Sequence, residues 1–384
     1  MTRPARTENA AVQAITEEQL PLDSELLSPS EYEELEEAEN DVQPVSYSGT
    51  DFDVEGIVRR LGRGDIVIPT FGHDVVEIET ARFQRSFVWR RPQMDKFIES
   101  LLLEFPIPGI ILVQQADKRY LVLDGQQRLR TLAAFYEGIH AEKQFALNNV
   151  AERFQGLTYK SLSPERRRTL DNTFIQATIV RTDGSPDSLD AVYQVFERLN
   201  SGGTQLTPHE IRIALYAGPF VEFLARLNEY SSWRELYGPP SPRLRDQELL
   251  LRAIALYASP ATYKRPLKQY LNDFVGEHRT LARLEHERIA GQFRQVTDLI
   301  NDGPGRSALR LGSNQVNAAL SEAILVGLMR RLESGDLPTP DEAASVVSSL
   351  TGDAEFVAAV NRATADEENV RTRLAKATRA FAAA

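Results

Sequence analysis

Five consecutive residues, Asp124-Gly125-Gln126-Gln127-Arg128, carry the strongest chemical signal in this 384-residue chain. They follow the apolar, β-rich run Tyr120-Leu121-Val122-Leu123 and open a stretch of helical spacing. Gly125 permits a sharp turn and a close backbone approach. The first N–H groups of a helix have no internal acceptor, and with the helix dipole they favour an anion. Arg128 lies in that first turn, where a guanidinium can fork onto phosphate oxygens. Asp124, at the strand tip, can hold a divalent metal through its carboxylate or orient a water. Asp-Gly is equally a common turn, Asp a common helix cap, and Arg128 able to pair with a surface carboxylate. Residue chemistry alone leaves both readings open.

Other residues can serve the same anion. Gln84 and Arg85 precede an aromatic stretch, and we expect them to line the phosphate pocket with Trp89 packed behind them. Asn200-Ser201-Gly202-Gly203-Thr204 follows one helical pattern and precedes another. It reads either as a glycine cap and loop, or as a loop returning over the ligand with Asn200 and the N–H groups of Gly202 and Gly203 as donors. Thr207-Pro208-His209-Glu210 has the spacing of a helix start, with Thr207 as cap, Pro208 at the first position and Glu210 closing a capping box. His209 is expected to be a solvated first-turn residue, and His278 and His286 surface residues rather than a metal pair. Arg166-Arg167-Arg168 and the Arg243/Arg245 pair read as solvated helix faces rather than nucleic-acid contacts.

The elements that must position these residues are legible as patterns. Ile66-Val67-Ile68-Pro69 and Val76-Glu77-Ile78-Glu79-Thr80 look like short strands, as do Ile110–Val113, Tyr120–Leu123 and Phe174–Val180. Pro92 suits a first helical turn, with Met94, Phe97, Ile98, Leu101 and Leu102 at helical spacing behind it. A helix is predicted from Gln126 to Glu137, stopped by Gly138. Beyond about residue 187 the chain turns helical, with amphipathic stretches near 245–258, 280–300, 314–333, 340–350 and 364–382. The fold class expected is α+β. Residues 1–48 are expected to be a disordered acidic tail and 51–216 a small mixed-sheet domain. An α-helical domain is expected over 217–384.

Bulk composition narrows the class. The chain has no cysteine, which excludes disulfides, thiolate nucleophiles and cysteine zinc sites and fits a cytoplasmic protein. The net charge is −11, but residues 1–50 alone hold twelve acidic and two basic side chains. The rest of the chain is close to neutral, so overall acidity does not argue against nucleotide or DNA binding, and no basic stripe argues for it. No apolar run reaches the length of a membrane span. The acidic run at 31–37 reads as a solvated tail or as an anionic mimic covering a phosphate site.

The DGQQR stretch, with Leu129, Thr131 and Leu132 behind it, resembles the signature of the GmrSD-type restriction family, whose N-terminal domain is ParB/sulfiredoxin-like and linked to NTP hydrolysis. Three further blocks fit in order: Phe83-Gln84-Arg85-Ser86-Phe87-Val88-Trp89, then Ile98–Leu102 with Pro106-Ile107-Pro108, then Val195-Phe196-Glu197-Arg198-Leu199-Asn200-Ser201-Gly202-Gly203-Thr204-Gln205-Leu206. The resemblance implies that Asp124, Gly125, Gln126, Gln127 and Arg128 form a nucleotide-phosphate pocket. Gln84, Arg85, Thr131, Asn200, Gly202 and Gly203 would stand around it, with Mg²⁺ neutralising the phosphates on Asp124. The expected function is NTP binding and hydrolysis in a restriction or antiphage system. The alternative is a non-catalytic nucleotide or DNA sensor acting with a separate nuclease. The His-Asn-His nuclease domain of well-known members has no visible counterpart after residue 216, which makes a separate nuclease subunit the expected partner. A homo-oligomer is left open.

Overall fold

The computed structural model describes residues 44–68, 89–115, 117–199 and 206–384. The strand expected at Val76–Thr80, most of the acidic tail, and Gln84, Arg85, Asn200, Gly202 and Gly203 lie outside the described residues. The described residues fall into two compact units, one within Glu39–Tyr230 and Gln269–Gly291, the other within Ser231–Lys268 and Gln292–Ala384. The architecture is α+β, with the sheet confined to the first unit.

The first unit is built on a five-stranded sheet. Its strands are β1 (Ser46–Asp53), β2 (Ile66–Val67), β3 (Ile110–Gln114), β4 (Tyr120–Asp124) and β7 (Phe174–Arg181), in the order β1-β7-β3-β4-β2. β5 (Ile139–His140) and β6 (Lys143–Gln144) form a separate small hairpin. β1 runs antiparallel to β7 over eight residues, β7 and β3 are parallel, β3 and β4 antiparallel, and β2 and β4 parallel. β1 begins at Ser46, inside the stretch read as tail. With only Tyr47 and Phe52 as large apolar residues, it is held by its ladder to β7 and not by its own pattern.

Helices cover one face of this sheet. α1 (Val54–Gly62) starts at Asp53, whose carboxylate accepts the Gly56 N–H at 2.6 Å, and buries Val54 and Ile57 one turn apart. α2 (Arg91–Leu102) has Pro92 in its first turn and points Met94, Ile98 and Leu101 inward. α3 (Gln126–Glu137) buries Leu129, Leu132 and Phe135 and stops at Gly138, as its pattern predicts. α4 (Pro164–Asp171) completes the layer. These side chains form one core with Ile110, Leu112, Val122, Ile175 and Ala177 of the strands. Each such buried aliphatic side chain contributes about 1.5–3 kcal/mol, so α3 has little freedom to shift against β3 and β4. The remaining helices of this unit are α5 (Pro186–Leu199), α6 (Pro208–Leu215), α7 (Pro219–Asn228) and most of α10 (Leu267–His278).

The second unit is helical. It contains α8 (Ser231–Tyr237), α9 (Arg245–Ala258), α11 (His286–Asp302, mostly within it), α12 (Ala318–Ser334), α13 (Pro340–Gly352), α14 (Ala354–Asn361) and α15 (Glu367–Ala382). α12 is buried without a break from Ala319 to Met329, with α9 and α15 packed along it. A helix buried on all sides is a core helix, and its one buried charge, Glu322, is ion-paired. The pattern near 340–350 is α13, and a further helix follows it at once, because the carboxylate of Asp353 caps α14 by accepting the Phe356 N–H at 2.8 Å. Among the described residues no single helix is long and apolar enough to cross a membrane.

Candidate functional site

The β4–α3 turn is shaped before any ligand is considered. β3 and β4 pair Leu112 with Val122 but Ile111 with Asp124, so Leu123 is an extra residue in the ladder. Such a bulge bends the strand and re-aims the next side chain. Asp124 is thereby delivered at the end of the sheet with its side chain 53% exposed. Gly125 then takes φ +96°, a left-handed conformation, as the residue before α3. A Cβ there would stand 2.5 Å from Ile110 Cγ2 of the buried β3. Glycine is required both by the angle and by the space.

This turn leaves the start of α3 open. No side chain caps it, and the first helical N–H to find a carbonyl is that of Leu129, donating to Gly125 O at 3.0 Å. The N–H groups of Gln126, Gln127 and Arg128 therefore project from the helix end without an acceptor among the described residues. An open helix end next to an arginine is an anion-binding arrangement.

Arg128 is fixed rather than waving. Its Nη2 donates to Asp124 Oδ2 at 2.7 Å and its Nη1 to the carbonyl of Pro108 at 2.7 Å. Its side chain is only 11% exposed. Two of five guanidinium N–H groups are thus engaged, and they hold the fork beside the helix end. Asp124 keeps its second oxygen for another partner. The anchor at Pro108 could not be read from spacing, because a backbone carbonyl carries no sequence signature. The only hint was the Pro106-Ile107-Pro108 turn.

The other expected residues divide. Gln127 turns back, its Oε1 accepting the Trp89 N–H at 3.4 Å, and Trp89 packs edge-on to Phe97 with centroids 5.5 Å apart. Trp89 is therefore part of the core layer behind the turn. Gln126 is half-buried at the helix start. Thr131 is not brought to the mouth: it is fully buried, and its hydroxyl donates to the Gln127 carbonyl at 2.7 Å. Among the described residues no three His, Asp or Glu side chains gather as a metal site.

Three surface expectations are corrected. His209 is 1% exposed, inside a first turn whose Pro208 and Glu210 are also buried. Its Nδ1 lies 3.4 Å from Arg212 Nη1, and Arg212 in turn donates from Nε to Asn272 at 2.8 Å. Burial, and then the charge of Arg212, hold the His209 imidazole well below its ordinary pKa, so the ring is neutral. His278 is also buried, its ring 4.4 Å from that of Phe274, and burial lowers its pKa as well. Arg243 is 3% exposed rather than solvated. In each case the capping or charged pattern was visible, but not the element that covers it. Arg166 and Arg167 lie over the rings of Phe154 and Tyr159 and donate to backbone carbonyls, a structural use of cations.

Comparison with known proteins gives one family match. No curated protein and no solved structure matches the chain significantly. Residues 70–217 match the family described as the GmrSD restriction endonuclease, N-terminal domain, a span that includes β3, β4, the Gly125 turn and α3. Over residues 70–217 the chain is therefore similar to the GmrSD restriction endonuclease N-terminal domain.

Proposed function

We propose that this protein is a restriction-system component that binds a nucleoside triphosphate at the β4–α3 turn and hydrolyses it. The observation that carries the reading is the uncapped start of α3 beside a clamped Arg128. Backbone N–H groups of residues 126–128 would take phosphate oxygens, and the unused N–H groups of Arg128 would neutralise charge as it develops. The donor set suits Mg²⁺ arriving with the triphosphate. That ion asks the protein for only one or two carboxylates, and Asp124 offers an exposed oxygen. When bound, the ion would neutralise charge on the phosphates. Gln84, Arg85, Asn200, Gly202 and Gly203 are proposed to complete the pocket. Thr131 would serve by fixing the first turn of α3.

The test is phosphate release from each NTP with Mg²⁺, by wild type, Asp124→Ala and Arg128→Ala. We expect a loss of roughly a hundred- to thousandfold on removing Arg128, the scale of one preorganised charge partner. A robust wild-type rate that neither change reduces would refute the assignment.

One observation favours a second reading. Asp124 is already ion-paired to Arg128, so it can act as the positioning partner of the arginine rather than as a metal ligand. The same turn would then bind nucleotide without turnover, as a sensor or adaptor for a separate nuclease or DNA. Calorimetric binding with no phosphate release over hours would select it.

A further inference from the structure

A groove of ≈ 500 Å³ runs along α15 in the helical unit. Val370, Leu374, Thr378 and Ala382 recur every four residues along one wall, facing Leu256 and Val326. From Glu367 to Ala382 this wall is about 22 Å long, enough for a short helix. Its rim carries three arginines, Arg330, Arg371 and Arg379, against one carboxylate, Glu367 at the start of α15. Arg371 and Arg379 stand exposed two turns apart, and neither makes an ion pair among the described residues. Arg330, also at the groove, is occupied by Glu333 and the Tyr257 carbonyl.

The chain itself contains a segment of matching chemistry. Residues 30–39, Ser-Glu-Tyr-Glu-Glu-Leu-Glu-Glu-Ala-Glu, lie outside the described residues. Ser30 and Glu33 have capping-box spacing. Tyr32, Leu35 and Ala38 recur every third residue and would share one helical face, leaving six glutamates elsewhere. We propose that residues 30–39 dock in this groove as an acidic amphipathic helix of the same chain. Tyr32 and Leu35 meet the apolar floor, and the glutamates meet Arg371 and Arg379. Ten helical residues span about 15 Å, within the length of the wall. Apolar anchors at helical spacing set in a charged rim are a recurrent mode of helix capture.

Because the chain has no cysteine, a disulfide-trapping experiment is clean. The full-length double variant Leu35→Cys/Ala375→Cys places one thiol on the segment and one on the exposed groove side of α15. Leu35→Cys/Ser348→Cys is the control, with Ser348 exposed on α13. Copper-phenanthroline and oxygen supply the oxidant. We expect an internal bridge for the 35/375 pair well ahead of the 35/348 pair. Adding Arg371→Glu and Arg379→Glu should slow trapping roughly three- to tenfold, the effect of losing a few exposed ion pairs. Raising the salt should slow it in the same direction. Equal trapping at both positions, a covalent dimer in place of the internal bridge, or indifference to charge reversal would overturn the proposal. Arg371 and Arg379 are exposed, so a matching thermal melt separates lost docking from lost folding.

Discussion

Arg128 and Arg373 both donate to a carboxylate, and their surroundings give the two pairs different work. The Arg373–Glu322 pair lies inside the helical unit, its side chains 1% and 0% exposed. Glu322 also accepts Arg252 Nε at 2.9 Å, and Arg373 Nη1 donates to the Thr364 carbonyl at 2.7 Å. No ligand can enter there, so the pair can only specify packing. The Asp124–Arg128 pair sits at a sheet end, with a half-exposed carboxylate beside an open helix start. Water already competes for it, so exchanging it for a phosphate costs little. Ion pairing by itself therefore does not separate the two. Exposure of one partner and unspent donors beside it do.

The largest expected effect breaks the buried side of this contrast. Glu322→Leu leaves Arg373 and Arg252 buried without their carboxylate and should cost about 3–5 kcal/mol of folding stability. A urea denaturation series measures it. A loss below about 1 kcal/mol, the exposed-pair range, would erase the distinction.

Gly125→Ala should come next, at about 1–3 kcal/mol, from a left-handed backbone angle and the clash with Ile110. Ile110→Ala in the same chain removes the struck methyl. A double-mutant cycle should then show coupling of at least about 0.5 kcal/mol. Simple additivity would mean that the turn is not held against β3.

The pH dependence is a third check, and the sign can be worked out. His209 is neutral in the folded chain with its pKa held down, whereas the unfolded ring titrates near 6.5. The unfolded state therefore binds more protons below that pH. The stabilisation is fully present above about pH 6.5 and is lost as pH falls toward the folded value, at up to about 1.4 kcal/mol per pH unit. His278 is shifted the same way. His209→Asn should flatten the fall in Tm between pH 6.5 and 5. An unchanged slope would show that the ring is not buried.

The smallest effect sharpens the exposed side. Asp124→Asn should change stability by no more than about 1 kcal/mol, because its pair is solvated. Stability and phosphate release measured on one preparation separate the two roles. A large stability loss would place Asp124 with Glu322, as a structural carboxylate.

Local pattern carried much of the fold. The limits of α3, the capping box of α6 and the bounds of α9 come from Gly138, Thr207–Glu210 and helical spacing, because caps and periodicity are local properties. α1 is not among the helices expected from the sequence, although its signal is as plain, with Asp53 as cap and Val54, Ile57, Val58 and Leu61 on one face. β1 carried almost none, since a strand built largely of Ser, Thr, Gly and Asp is defined by its partner, β7.

The sequence by itself determined the residues that can meet an anion and the turn that holds them: a strand, a glycine and a helix start with an arginine one turn in. Tertiary structure decided which of them face outward. It set the Leu123 bulge that turns Asp124 to solvent, and it brought the Pro108 carbonyl to Arg128 from twenty residues away. It also drew His209 and Thr131 inward. Side-chain type and spacing are written along one dimension. Burial depends on what packs across from a residue, and no local pattern encodes that.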